Sequence, residues 1–192
     1  TSIEREIEET TIKNSWNAQF STNNYWIQSI GADSVSQTGK GIKIAILDTG
    51  IGVHPDFFTN GESDKSRIVA AKNFTNEQGI SQSNYTVDEY GHGTHCAGIA
   101  AGNGHLSNGK YRGVATEASL INAKISNSTG TISESDVIQA IDWCIAQGAD
   151  IISMSYGFDS PEVWTAETLA IKEASKLGII PVAAAGNSGP DF

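Results

Sequence analysis

The sequence predicts an α/β domain with three layers, a central and mostly parallel sheet with helices on both faces. Three observations lead there. Short apolar runs at residues 42–47, 68–74, 119–125, 151–155 and 179–185 lack the polar alternation of a half-solvated strand, and suit strands covered on both faces. Segments with helical spacing lie between the last three runs, and the connections are short, so the strands succeed one another through crossovers and run parallel. The chain has 192 residues, 39% of them apolar, which is enough to bury the core of one domain and excludes a disordered polymer.

Taken in order, residues 1–25 read as a polar N-terminal arm. Glu4, Glu6, Glu8 and Glu9 crowd its start, and Trp16, Phe20, Tyr25 and Trp26 are expected to pin it to the body. The first strand runs into Asp48-Thr49-Gly50. Residues 75–90 are polar and read as loop. From His92 to Gly102 the residues are small and apolar, as in a buried helix opened by Gly91, and residues 103–112 form a Gly-rich loop. Ser133 is placed to cap a helix reaching Gln147. Glu134 and Asp136 stand in its first turn, where the helix dipole favours them, and Val137, Ile138, Ile141, Cys144 and Ile145 lie along one stripe before Gly148 stops it. A second helix spans residues 162–177, with Gly178 as its stop.

Charge and composition narrow the function. Lys and Arg number 12 against 22 Asp and Glu, a formal charge of −10, which argues against a nucleic-acid or anionic-membrane partner. No apolar run approaches the roughly 20 residues of a membrane span. No basic-then-apolar leader opens the sequence, so an export signal is expected to be already removed or never present. The two cysteines, Cys96 and Cys144, sit in apolar stretches without metal-knuckle spacing and read as buried free thiols, with a disulfide between them as the open alternative.

In open parallel sheets, ligands collect beyond the carboxyl ends of the strands. The reactive residue types of this chain fall there. Asp48 ends the first run, Ser155-Tyr156-Gly157 follows another, Gly186-Asn187-Ser188-Gly189 follows the last, and His92 stands at a helix start. Asp48 reads either as a cap of its own turn or as the carboxylate that orients an imidazole, and His92 supplies an imidazole. Asn187 reads as a left-handed turn residue or as a donor to an oxyanion. A competing reading lets His92 and His95 share a metal with Asp48 or Asp88, although no recognised ligand spacing completes it.

Four stretches carry a resemblance. They are Ala45-Ile46-Leu47-Asp48-Thr49-Gly50-Ile51 with His54-Pro55-Asp56, Gly91-His92-Gly93-Thr94-His95-Cys96-Ala97-Gly98, Asp150-Ile151-Ile152-Ser153-Met154-Ser155-Tyr156-Gly157, and Val182-Ala183-Ala184-Ala185-Gly186-Asn187-Ser188-Gly189. In this order they resemble the subtilisin-like serine proteases, over about residues 26–192, the first two-thirds of such a catalytic domain. The resemblance implies an endopeptidase acting through an Asp-His-Ser triad and an acyl-enzyme. It gives Asp48 the orienting role, His92 the general base and acid, and Asn187 the oxyanion donor. It assigns Ser155, Tyr156, Gly157 and, on the other side, Ser128, Thr129 and Gly130 to backbone pairing with an extended substrate, and Ala184, Ala185 and Gly186 to the specificity-pocket wall. Tyr156 stands where the family commonly has an aliphatic residue. Asp56 is implied as a structural calcium ligand, with further ligands from the loop at 103–112. Cys96 is implied to lie beneath His92, where thiol-reactive mercurials are expected to inhibit.

The family's Gly-Thr-Ser-Met-Ala nucleophile segment is absent from these residues, and neither Ser155 nor Ser188 fits the role. The expectation is therefore a fragment, inactive alone, whose serine lies on a complementary C-terminal segment. The alternatives are one half of a split protease or an inactive peptide-binding pseudoprotease. A propeptide or inhibitor is a further expected partner. The resemblance favours a secreted, extracellular setting, with an intracellular one as the alternative.

Overall fold

The computed structural model describes residues 25–75, 87–157 and 165–187. The acidic run of the arm with Trp16 and Phe20, most of the loop at 75–90, the predicted start of the second long helix at Glu162, and Ser188 lie outside the described residues. The elements are α1 (Tyr25–Ser29), β1 (Lys43–Asp48), β2 (Ile68–Asn73), α2 (His92–Ala101), β3 (Ser119–Lys124), α3 (Glu134–Ala146), β4 (Ile151–Met154), α4 (Thr165–Lys176) and β5 (Ile180–Ala183). Short 3-10 turns at Pro55–Phe57, Thr59–Gly61 and His105–Ser107 fill the connections.

The sheet has the order β2-β3-β1-β4-β5, and every pairing is parallel. In β1 the side chains alternate between two separate cores. Ala45 and Leu47 join Val137, Ala140, Ile141 and Cys144 of α3 and Ala174 of α4. Ile44 and Ile46 pack on the opposite face with Ala97 and Ala101 of α2, Phe57 and Leu120. This is why β1 shows no polar alternation, since both of its faces are dry.

The helix boundaries follow their caps. Ser133 Oγ accepts the N–H of Asp136 at 3.2 Å, which starts α3. Gly148, at φ 70°, turns the chain so that the Ala149 N–H reaches back to the Cys144 carbonyl at 3.1 Å. Two readings of the sequence need correction. The helix α2 is buried on one stripe only, through Gly93, Ala97 and Ala101, while Ile99 is 46% exposed. Small residues on that stripe let the helix lie close to the sheet, and the other side faces a cleft. Cys144 is a buried free thiol, which burial pushes up to about 12, but Cys96 is free and only partly buried. It stands at the helix edge that faces His92.

All five strands point their carboxyl ends the same way. Asp48, Ser155 and the residues after Ala183 therefore emerge on one edge of the sheet, from the neighbouring strands β1, β4 and β5.

Candidate active site at the strand ends

Asp48 is 4% exposed at the end of β1, and His92 opens α2. Gly93 lets the two elements meet. A Cβ there would stand 2.1 Å from the Gly50 carbonyl oxygen and 3.0 Å from Asp48 Cβ. With hydrogen in its place, the first turn of α2 packs onto the strand end. His92 Nδ1 then lies 2.8 Å from Asp48 Oδ1 and 2.9 Å from Oδ2. A carboxylate only accepts, so Nδ1 carries the proton and Nε2 keeps a free lone pair. Asp48 Oδ1 also accepts the Thr49 N–H at 2.7 Å. The His92 side chain is 43% exposed, so its outer nitrogen reaches solvent and any bound molecule.

A second carboxylate holds this geometry. Gly91, the residue before α2, offers no side chain as a cap, and Asp88 caps the helix from outside. Its Oδ2 accepts the Thr94 N–H at 2.8 Å and the Thr94 hydroxyl at 2.5 Å; its Oδ1 accepts the Gly91 N–H at 2.8 Å and the Thr49 hydroxyl at 2.7 Å. Thr49 Oγ1 in turn accepts the Gly93 N–H at 2.9 Å. Burial pushes the Asp88 carboxyl up, but the bonds from Thr94, Thr49 and Gly91 outweigh it and hold the group below its ordinary value. The structure thus corrects the reading of Asp88 as a metal partner, because both of its oxygens are taken. The signal in the sequence was a carboxylate shortly before a helix start. Lys124, opposite Asp48 across β3 and fully buried, donates from Nζ to the Thr49 carbonyl at 2.5 Å and fixes the turn from below.

The other predicted residues follow the carboxyl ends of β3, β4 and β5. Ser155 follows β4, and the Cys96 thiol lies within 4.8 Å of the Asp48 carboxylate. Cys96 Sγ lies 3.8 Å from His92 Nδ1 and 4.0 Å from Nε2. Burial raises the Cys96 thiol; Ser155 opposes this, the Asp48 charge adds to it, and the thiol ends above its ordinary value. Tyr156 turns inward, and its hydroxyl donates to Glu167 Oε1 on α4 at 2.7 Å; burial and then Glu167 push the phenol up. Gly157 is exposed. Ser128, Thr129 and Gly130 occupy a tight turn after β3, closed by Asn127 Oδ1, which accepts from Thr129 and Thr131 N–H. The ring of Tyr90 packs beside Gly130, close to the start of α2, a neighbour the sequence did not reveal. Ala184, Ala185, Gly186 and Asn187 are exposed beyond β5, where the Ala184 N–H still pairs with the Met154 carbonyl at 3.1 Å.

Metal-binding residues separate into distinct places. His95 lines a cleft of about 410 Å³ behind α2 with Trp26, His54, Phe57, Tyr111 and Arg112, turned away from Asp48. The shared His92–His95 site is therefore not formed: the ligand atoms that gather beside Asp48 are those of His92 and Cys96, without His95. Asp56 does meet the loop at 103–112, but its Oδ1 accepts the Leu106 N–H at 3.0 Å. The Asn103 amide is engaged by Phe58 and His105, and the loop carries no carboxylate. These donors are a poor fit to a hard cation such as calcium, which gathers several oxygens with negative charge.

Comparison with known proteins agrees with this architecture. Residues 39–192 match the model of the subtilase family. Serine protease AprX of Bacillus subtilis (strain 168) is 40% identical over 165 residues, covering 80% of this chain and 35% of the relative. The major intracellular serine protease of the same organism is 42% identical over 156 residues, covering 79% and 44%. Subtilisin DY of Bacillus licheniformis is 37% identical over 169 residues, covering 86% and 55%. Among solved structures, Sphericase superposes with a TM-score of 0.62 at 34% identity, over 82% of this chain and 50% of its own. The chain thus spans about a third to a half of the length of these relatives.

Proposed function

Because the chain belongs to the subtilase family of serine proteases, we propose that it carries the aspartate, histidine and oxyanion residues of an endopeptidase that cleaves extended polypeptides. The observation that carries this reading is the contact of His92 Nδ1 with both oxygens of Asp48. In this reading a serine outside residues 1–192, on a complementary C-terminal segment, is the nucleophile. His92 Nε2 takes the hydroxyl proton as the oxygen attacks the peptide carbonyl, and Asp48 stabilises the imidazolium without taking the proton itself. The side-chain N–H of Asn187 donates to the tetrahedral oxyanion. Collapse breaks the C–N bond, and His92 gives its proton to the departing amine. Water, activated by the same nitrogen, then releases the acyl group as a carboxylate.

Substrate would lie as an added strand between the turn at Ser128, Thr129 and Gly130 and the segment Ser155, Tyr156 and Gly157, with Ala184, Ala185 and Gly186 as the pocket wall. A propeptide or protein inhibitor would occupy the same groove. One matched relative is named intracellular, so that setting stands beside the secreted one; no helix among the described residues is long and apolar enough to cross a membrane.

The test uses the protein containing these residues together with its continuation, with unfolded casein as substrate. Asp48→Asn should lower kcat by on the order of 10⁴, and Asn187→Ala by about 10²–10³ with KM little changed. A fluorophosphonate should label a serine beyond residue 192. Labelling of Ser155 would overturn the assignment, and no labelled serine with retained peptide binding would favour the pseudoprotease.

A further inference from the structure

The Asp48–His92 pair has a third neighbour with metal-binding chemistry that the proposed hydrolysis does not use. Asp48, His92 and Cys96 each offer one ligand atom, and these atoms all lie within 4.8 Å of one another. Among the described residues no other group of His, Cys, Asp and Glu does so. We propose that these three side chains form an inhibitory site for a borderline-soft divalent cation of the zinc class, bound between the carboxylate and the imidazole and closed by the thiolate.

The spacing suits such an ion. Zinc binds thiolate sulfur at about 2.3 Å and nitrogen or oxygen at about 2.0–2.2 Å in tetrahedral geometry, so its ligands stand roughly 3–4 Å apart. Cys96 Sγ is already 3.8 Å from His92 Nδ1. The Nδ1 to Asp48 separation of 2.8 Å need open by only a few tenths of an ångström. The donor set is one carboxylate, one imidazole and one thiolate, so a divalent ion makes the cluster neutral, and the partly exposed His92 and Cys96 leave the fourth position to water. Calcium and magnesium, which prefer oxygen, are disfavoured by the sulfur.

Binding balances as a proton exchange. The ion replaces the proton on Nδ1, which moves to Nε2, and the thiol proton is released to solvent. His92 is then a neutral imidazole with its outer nitrogen protonated, and it has no lone pair to accept a serine proton. Inhibition in this form is reversible and needs all three donors. That separates it from capping of Cys96 by a mercurial, which needs the thiol alone.

This inference rests on the catalytic reading of Asp48 and His92 for its effect on activity, but not for binding. The experiment uses the whole enzyme in metal-free buffer. Cadmium, as a spectroscopic stand-in, should give a thiolate charge-transfer band in the ultraviolet that saturates at one equivalent per chain. Zinc should inhibit casein hydrolysis, and a chelator selective for zinc over calcium should restore it. Cys96→Ser should abolish the cadmium band, leave metal-free hydrolysis unchanged, and weaken inhibition by at least about tenfold, the factor that 1.4 kcal/mol represents. Asp48→Asn should weaken cadmium binding while leaving methylmercury labelling of Cys96 intact. Equal zinc inhibition of wild type and Cys96→Ser, no cadmium band in an active enzyme, or full activity of the cadmium-saturated enzyme would each overturn the proposal. Unimpaired hydrolysis by His92→Ala would instead overturn the catalytic reading and leave the binding result standing.

Discussion

A methyl group at position 93 would stand 2.1 Å from the Gly50 carbonyl oxygen, far inside contact distance, and the obstacle is backbone that cannot rotate away. The helix α2 would have to lift from the end of β1, carrying His92 with it. Gly93→Ala should therefore cost roughly 1–3 kcal/mol, as overpacking of a tight site does, and should abolish hydrolysis even in protein that remains folded. Urea denaturation and casein turnover of the same preparation read the two effects. Asp88 acts one step further back. Asp88→Asn keeps the shape but loses the charge and part of the acceptor set, and should cost roughly 1–2 kcal/mol at pH 6, in the range of a lost helix cap. The sign with pH is fixed by its lowered value in the fold. The stabilisation is fully present above its unfolded value near 3.8 and fades as pH falls through the lower folded value. Wild type and Asp88→Asn should accordingly converge in stability below pH 3.8; a gap that widens on acidification would contradict this account.

At the scale of elements, much was readable because each strand and helix is locally consistent. The two dry faces of β1 wrote a continuous apolar run, and Ser133 and Gly148 mark the ends of α3 by side-chain and backbone chemistry that needs no tertiary context. Asp48 and His92 were legible as a pair only because strand ends and helix starts gather on one edge of a parallel sheet. What was not legible depends on contacts between distant segments. Thr49, Asp88 and Thr94 form one hydrogen-bonded unit that no spacing in the chain announces, Lys124 is a buried lysine at the end of β3, and Cys96 is half in the site and half out of it. Tyr156 belongs to the same class. The resemblance assigns it to the substrate-pairing segment, yet its hydroxyl is tied to Glu167 and anchors α4 to the end of β4. Tyr156→Phe leaves that carboxylate without its donor and should destabilise the protein by about 1–3 kcal/mol. Cleavage-site preference, read from peptides released from a denatured protein, should stay the same. A changed preference with unchanged stability would put the ring in the pocket instead.

For the molecule as a whole, the informative surface is the side of the sheet that ends in β5. Among the described residues β5 pairs only with β4, and Ile180 and Val182 are 58% and 51% exposed. Leu169 of α4 and Leu177 just after that helix are exposed as well. An apolar strand with an open edge is a template for pairing with another chain, and soluble proteins normally cover or charge such an edge. The opposite edge, β2, is interrupted by a register shift between Ile68 and Ala70 and carries Lys72, so it is blunted in the usual way. The asymmetry is accounted for if additional structure packs on β5 and α4. The relatives supply the scale, since Subtilisin DY and Sphericase are about twice the span matched here. Residues 1–192 prepared alone should therefore associate in a concentration-dependent way, bind a dye for exposed apolar surface, and melt without a cooperative transition. A preparation extended by the remaining length of a subtilase domain should lose the dye signal and melt cooperatively. Charged substitutions at Ile180 and Val182 separate the two explanations for association. In the short chain they should suppress it by removing the sticky edge, and in the long chain they should destabilise the fold by placing charge in a buried interface. A short chain that stays monomeric, binds no dye and melts in a single sharp step would show that this edge needs no cover.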